Sequence, residues 1–384
     1  MNPNNNPAAL RGFTLIELMV AVALGMALVL ALTTVMIRHD AGKRTMVSTN
    51  DLSLTSSYVS YSLDRELRSA GSGFTQNWRD TFGCVLRVAR GGMQILPRAA
   101  AFPAPFAGVP QQVRLAPLLI HAGAGAGGSD VLAVATGSAG LGETPIRVQP
   151  ASATDTDLRV TSTVGLRGND LVLIAEDGVG CMLQQVATPF TGGANQLLVF
   201  GGTYFDAEID SLPLVDFSTG GTAFLSLLGN TAGNPPMLRL FGIGDGDTLF
   251  SHDVLQLDGA DIAQPVVDGV ADLRALYGVD TDGDGRIDDW VSPSAVDYTA
   301  AALTNGSQAA RDRLMTIMAV RVGMVLRSDR IERSEVAPGE LTLFSDLPAA
   351  LQHTHAVAAG QRNQRFRTVE FTVPLRNVMI TART

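Results

Sequence analysis

Hydrophobic and polar positions divide this chain into two unlike parts. From Phe13 to Ile37 it runs 25 residues with a single charge, Glu17, one glycine, Gly25, and no proline. As a helix rising about 1.5 Å per residue, this run is about 38 Å long, enough to cross a hydrocarbon core of about 30 Å with some tilt. Helical spacing continues beyond it: Leu54, Tyr58 and Tyr61 recur at i, i+4 and i+7, and Leu63 and Leu67 at i, i+4. Asp64, Arg65, Glu66 and Arg68 supply a polar side, and Gly71-Ser72-Gly73 is a stop signal. The expectation is one helix, membrane-embedded over 13–37 and amphipathic over 38–70, whose apolar stripe packs into a core.

After residue 71 the period shortens toward two. The stretch 97–117, rich in proline, reads as loop, and the Gly-Ala-Gly-Ala-Gly-Gly run within 121–129 reads as a flexible connector. As a phosphate loop that run is poor, since no Gly-Lys-Ser/Thr completes it. Strands are expected at 130–135, at 170–175 and 181–186 around a Glu176–Gly180 turn, and at 237–243 and 248–257 around Gly244-Asp245-Gly246-Asp247. Val270–Val279 alternates through Leu273, Ala275 and Tyr277. Met318, Val320, Val322, Met324 and Leu326 set five apolar side chains on one strand face. Val369, Phe371, Val373 and Leu375 repeat the pattern, with Pro374 marking an edge or an end. A long helix followed by runs of antiparallel strands is an α+β layout.

Composition narrows the picture. Most of the 384 residues lie beyond the apolar run, enough for a real core and for two lobes. A net charge of −9, with no run of five like charges, argues against nucleic acid as the main partner. His-Glu-x-x-His, Gly-x-Ser-x-Gly and Walker A patterns are all missing, so an enzyme has little support. His353 and His355 could share a strand face and bind a metal with a third ligand. No acid or cysteine lies near them in sequence, and exposed loop histidines are the expectation.

One short motif carries chemistry of its own. Asp280, Asp282, Asp284 and Gly285 spell Asp-x-Asp-x-Asp-Gly: carboxylates two apart on a tight turn can converge on a hard cation such as calcium, and glycine permits the bend. Arg286 would offer a backbone carbonyl, Asp288 a direct or water-borne contact, and Asp289 a substitute for the missing twelfth-position glutamate, where Val291 stands. With no helix pair around the loop, this is not an EF-hand domain. The alternative is a solvated acidic turn between strands.

Arg11-Gly12-Phe13-Thr14-Leu15-Ile16-Glu17, opening the apolar run, resembles the type III signal of type IV pilins and pseudopilins. That resemblance implies a leader of residues 1–12, a prepilin peptidase cut after Gly12, N-methylation of Phe13, and pairing of Glu17 with a neighbouring subunit's amine. A carboxylate just inside the apolar start is costly in lipid unless paired, which agrees with this role; the plain alternative is an ordinary anchor with a stray acid. Five further stretches, in order, resemble the PilW family of minor pilins: Gly128-Ser129-Asp130-Val131-Leu132, Gly168-Asn169-Asp170-Leu171-Val172-Leu173, Leu276 to Gly285, Ala319-Val320-Arg321-Val322, and Phe371 to Asn377. The resemblance implies a type IV pilin-like fold, with the helix laid on an antiparallel sheet of a periplasmic domain, 71–384. It implies a non-catalytic minor pilin that primes and sits near the tip of a type IV pilus. Its partners would be other minor pilins, the major pilin, the inner-membrane assembly platform and a tip adhesin. A minor pseudopilin of a type II secretion system and a membrane-anchored calcium-dependent binding module are the alternatives. The flanking charges, Arg11 against Arg38, Lys43 and Arg44, would by count favour the opposite orientation, so the periplasmic placement follows from the signal. With that placement, Cys84 and Cys181, the only cysteines, are expected to form a disulfide rather than stay reduced and buried.

Overall fold

The computed structural model describes residues 14–138, 144–193 and 196–382. Helix α1 spans Leu15–Arg68 without a break. Its first part, Leu15–Ile37, is long and apolar enough to cross a membrane, and none of it is buried against the protein. Only the second part docks. Leu52, Val59, Leu63 and Leu67 are buried there, whereas Leu54, Tyr58 and Tyr61 face outward at 53–68% exposure. Leu63 and Leu67 dock as expected, whereas Leu54, Tyr58 and Tyr61 do not belong to the core stripe. The helix carries two apolar faces roughly opposite one another, since two residues of helix turn about 200° between Tyr61 and Leu63. Periodicity finds both faces and cannot say which one meets the sheet.

Three larger sheets follow, beside three two-stranded ones among the described residues. The first has six strands, in the order Met93–Leu96, Leu86–Arg90, Gly180–Gln185, Asp170–Glu176, Phe224–Asn230, Ile146–Arg147. Its pairings are antiparallel except one: Leu86–Arg90 runs parallel to Gly180–Gln185. The second sheet orders Gln264–Asp268, Thr248–Asp253, Met237–Gly244, Val131–Thr136 and Leu118–His121. The third orders Asp289–Val291, Val270–Val279, Ile317–Ile331 and Gln364–Pro374. Pro374 both ends its strand and sits on an edge strand, where a missing N–H costs no ladder bond.

The third sheet positions α1. One face presents Leu273, Ala275, Tyr277, Val320, Val322, Met324 and Val373 to the cluster that holds Val59, Leu63 and Leu67. Polar contacts line the seam: Arg365 to the Thr45 hydroxyl at 3.3 Å, Arg367 to the Ser53 hydroxyl at 3.2 Å, Arg330 with Asp51 at 3.7 Å, and the Asn377 amide donating to Ala70 O at 2.9 Å. The opposite face is covered by a hairpin of Glu340–Leu343 and Glu340's partner strand, His353–Ala356. Leu343 and Phe344 pack there with Leu276 and Val325. A separate apolar cluster, including Leu158, Val160, Ile174, Phe200 and Phe217, lies about the first sheet.

The glycine-rich stretch after residue 121 is not a free connector. It closes a hairpin between Leu118–His121 and Val131–Thr136, and buried Asp130 pins it. The Asp130 carboxylate accepts from Gly123 N–H and from Ala275 N–H, both at 3.0 Å, which ties the second sheet to the third. Cys84 and Cys181 form a disulfide with Cα atoms 5.8 Å apart.

Candidate assembly helix and acidic loop

Gly12 and Phe13, the expected cleavage and methylation positions, lie outside the described residues. Glu17 occupies the first turn of α1. It completes a capping box: Glu17 N–H donates to the Thr14 hydroxyl oxygen at 3.3 Å, and Glu17 Oε2 accepts from Thr14 N–H at 3.1 Å. A carboxylate here also complements the partial positive charge of the helix start. The side chain is exposed, and among the described residues its hydrogen bonds engage Oε2, so the group can still meet an external cation.

The acidic loop follows strand Val270–Val279. Asp280, at its head, is buried, while Asp282 and Asp288 are exposed; ligand-type oxygens of these three lie within 4.8 Å of one another. Asp280 is held from both sides. Its N–H donates to Thr316 O at 2.9 Å, Oδ1 accepts from Gly283 N–H and Oδ2 from Gly285 N–H, each at 2.7 Å. Gly283 and Gly285 have φ of 80° and 84°, a backbone region glycine enters without strain. Asp288 Oδ2 accepts from both the N–H and the hydroxyl of Thr281 at 2.7 Å, which holds its carboxyl below the ordinary value. Asp284 stands outside this trio: its Oδ1 accepts from Arg286 N–H at 2.7 Å and Oδ2 lies 3.9 Å from the Arg286 guanidinium. Asp289 also stands outside, opening edge strand Asp289–Val291 opposite Val279. The carboxylates that converge are therefore 280, 282 and 288.

Sequence reasoning missed a polar cluster on the outer face of the third sheet. His353 and His355 are not exposed loop residues. They lie on a strand, and both bond one carboxylate oxygen of buried Asp272, His353 Nε2 at 2.9 Å and His355 Nδ1 at 3.1 Å. Arg274 Nε approaches the other oxygen at 3.0 Å. Burial pushes the Asp272 carboxyl up, but the two histidine bonds and the Arg274 charge outweigh it and hold the group well below the usual carboxylate range. The acid precedes these histidines by some eighty residues, so no local spacing could reveal it. Nearby, Arg321 bonds Asp346 and Glu370 and lies over the rings of Trp290 and Phe344.

Two family profiles match the chain. One, described as type IV pilus-assembly protein W, covers residues 241–377. The other, the prokaryotic N-terminal methylation motif, covers residues 10–33. The first spans the third sheet with its acidic loop and outer hairpin; the second spans the start of α1 and Glu17. No curated protein and no solved structure matches.

Proposed function

We propose that this chain, a PilW-family type IV pilin on the strength of its two matches, works as a minor pilin: it joins a complex with other minor pilins, helps prime filament growth and stays near the tip. Its work is assembly, not catalysis. The observation that carries this reading is the division of α1. The membrane-length part from Leu15 to Ile37 is bare of intramolecular contact, while the part beyond is docked on the sheet. A bare apolar helix fixed to a folded domain is suited to bury itself first in lipid and then among other helices. Glu17 supplies the polar key: an anion and an amine that are each costly in an apolar bundle become tolerable as a pair. Glu17→Ala should therefore leave the globular fold and the processing at Gly12–Phe13 intact, and weaken co-purification with other pilins. Unchanged co-purification and unchanged piliation would refute the role of Glu17.

The acidic loop adds a cation site to this reading. Asp280, Asp282 and Asp288 are the chain's own residues for calcium, with Asp280 pre-set by its backbone bonds and the other two exposed. Ionised carboxylates so close repel one another, and a bound divalent ion removes that cost. Calcium should raise the unfolding temperature of the full chain, because a ligand that binds only the folded state stabilises it. Magnesium should do less, given its octahedral demand and reluctance to shed water. The effect should vanish in Asp282→Ala. Identical melts with calcium and with chelator would leave a solvated acidic turn.

A further inference from the structure

We infer that the globular part holds a binding cavity for a medium-chain monocarboxylate, between the second sheet and the short helix Ala300–Leu303. The cavity measures about 400 Å³. That is within the range of small-molecule sites, and at protein packing density it takes roughly ten to fifteen non-hydrogen atoms. Its wall is mostly aliphatic: Leu119, Leu238, Leu240 and Val254 on the sheet side, Ala301 on the helix. Polar groups are few, which is how such sites orient a ligand. Two of them matter most. His121, at the end of strand Leu118–His121, has no side-chain hydrogen bond among the described residues. Burial pushes its imidazole down to about 4, so at neutral pH the ring is uncharged, with one donor and one acceptor to offer. Arg114 is the other. Its guanidinium donates to Gly83 O at 2.8 Å and reaches Gln112 Oε1 at 3.5 Å, and among the described residues it has no carboxylate partner.

These features choose the ligand. An aliphatic wall takes an alkyl chain, and each methylene removed from water contributes about 0.8 kcal/mol. A partly buried guanidinium without a counter-ion takes a carboxylate, which matches its two-pronged donor geometry. The neutral His121 adds no charge and tolerates the chain beside it. A dication finds no carboxylate in the lining, a phosphate monoester brings nearly two negative charges to a single cation, and a large peptide exceeds the volume.

The probe is carboxyl-labelled octanoate, followed by carbon NMR on the full chain in nanodiscs, with empty nanodiscs as blank and octanol as the uncharged comparison. Saturable binding is expected above the blank. Ala301→Phe, which fills the cavity, should abolish it, with His121→Phe as a second filler if the first variant does not fold. Arg114→Gln should weaken octanoate at least tenfold while leaving octanol unchanged, and Arg114→Lys should recover part of the loss. Melting curves and near-ultraviolet circular dichroism establish that each variant is folded. Binding no greater than the blank, or binding that folded filler variants retain, would overturn the inference. Equal loss of octanol and octanoate in Arg114→Gln would overturn the assignment of a carboxylate.

Discussion

Asp80 sits in the short helix Trp78–Thr81, close to the ion pair that Arg311 makes with Asp177. Burial and the neighbouring Asp177 charge push its carboxyl up to about 6, against the pull of Arg311. A carboxyl whose folded value lies above its unfolded value, about 4, binds its proton more tightly in the folded state. The stability this gives is full below about pH 4 and is lost as pH rises through about 6. Asp80→Asn keeps the site neutral throughout. Because Asp80 is only half-buried, solvent screening reduces the gain to about 1–2 kcal/mol, or about 2–5 °C in Tm at pH 7.5. Melts of the variant and wild type from pH 4 to 7.5 should nearly coincide at the acid end, diverge between about pH 4 and 6, and keep a constant gap above that. Parallel curves would contradict the assignment.

At the scale of elements, the chain's periodicities were legible where one signal dominated. Val270–Val279 and the strand from Ile317 matched their alternating pattern, because a strand with one face on a core must repeat every two residues. The turns Glu176–Gly180 and Gly244–Asp247 were legible through their glycine and aspartate. Leu118–His121 escaped notice because it is four residues long and follows a proline-rich loop that shows no period. The docking face of α1 was legible at Leu63 and Leu67 but not at Leu54, Tyr58 and Tyr61, which are as apolar as the face that binds; the choice between them is made by the sheet. The acidic loop was legible as a motif, but its geometry was not. The pairing of Asp284 with Arg286 and the return of Asp288 to Thr281 depend on how the turn closes. A prediction follows for α1. Val59→Ala should cost about 1–3 kcal/mol, since Val59 is fully buried, whereas Tyr58→Ala should change stability by no more than about 0.5 kcal/mol. Side-by-side thermal or urea melts of the two variants check this, and a larger loss in Tyr58→Ala than in Val59→Ala would mean that the helix docks by its other face.

The whole molecule is held by links between parts distant in sequence. The Cys84–Cys181 disulfide joins residues 97 apart and fastens the segment after Thr81 to the first sheet, beside the parallel pairing of Leu86 with Cys181. For a loop of that size the chain-entropy model gives about 4–5 kcal/mol, and native disulfides of this kind are worth about 2–5 kcal/mol. Replacing both cysteines with serine should lower the denaturant midpoint accordingly without changing the strand order. Thiol titration of the denatured, unreduced wild type should find none free.

The seam between α1 and the third sheet has a mechanical meaning for any filament built from such chains. Its contacts run from Thr45 to Ala70, about 35 Å along the helix axis. Most attach to the same sheet or to the helix Arg376–Ala382 that follows its last strand, and near the helix end Glu66 also pairs with Arg239 of the second sheet at 3.5 Å. Tension on the membrane-length part would pull along that axis, so the load falls on every contact together, in shear, and no single end can peel first. A domain fastened in this way holds until the whole seam slips, and then releases in one step.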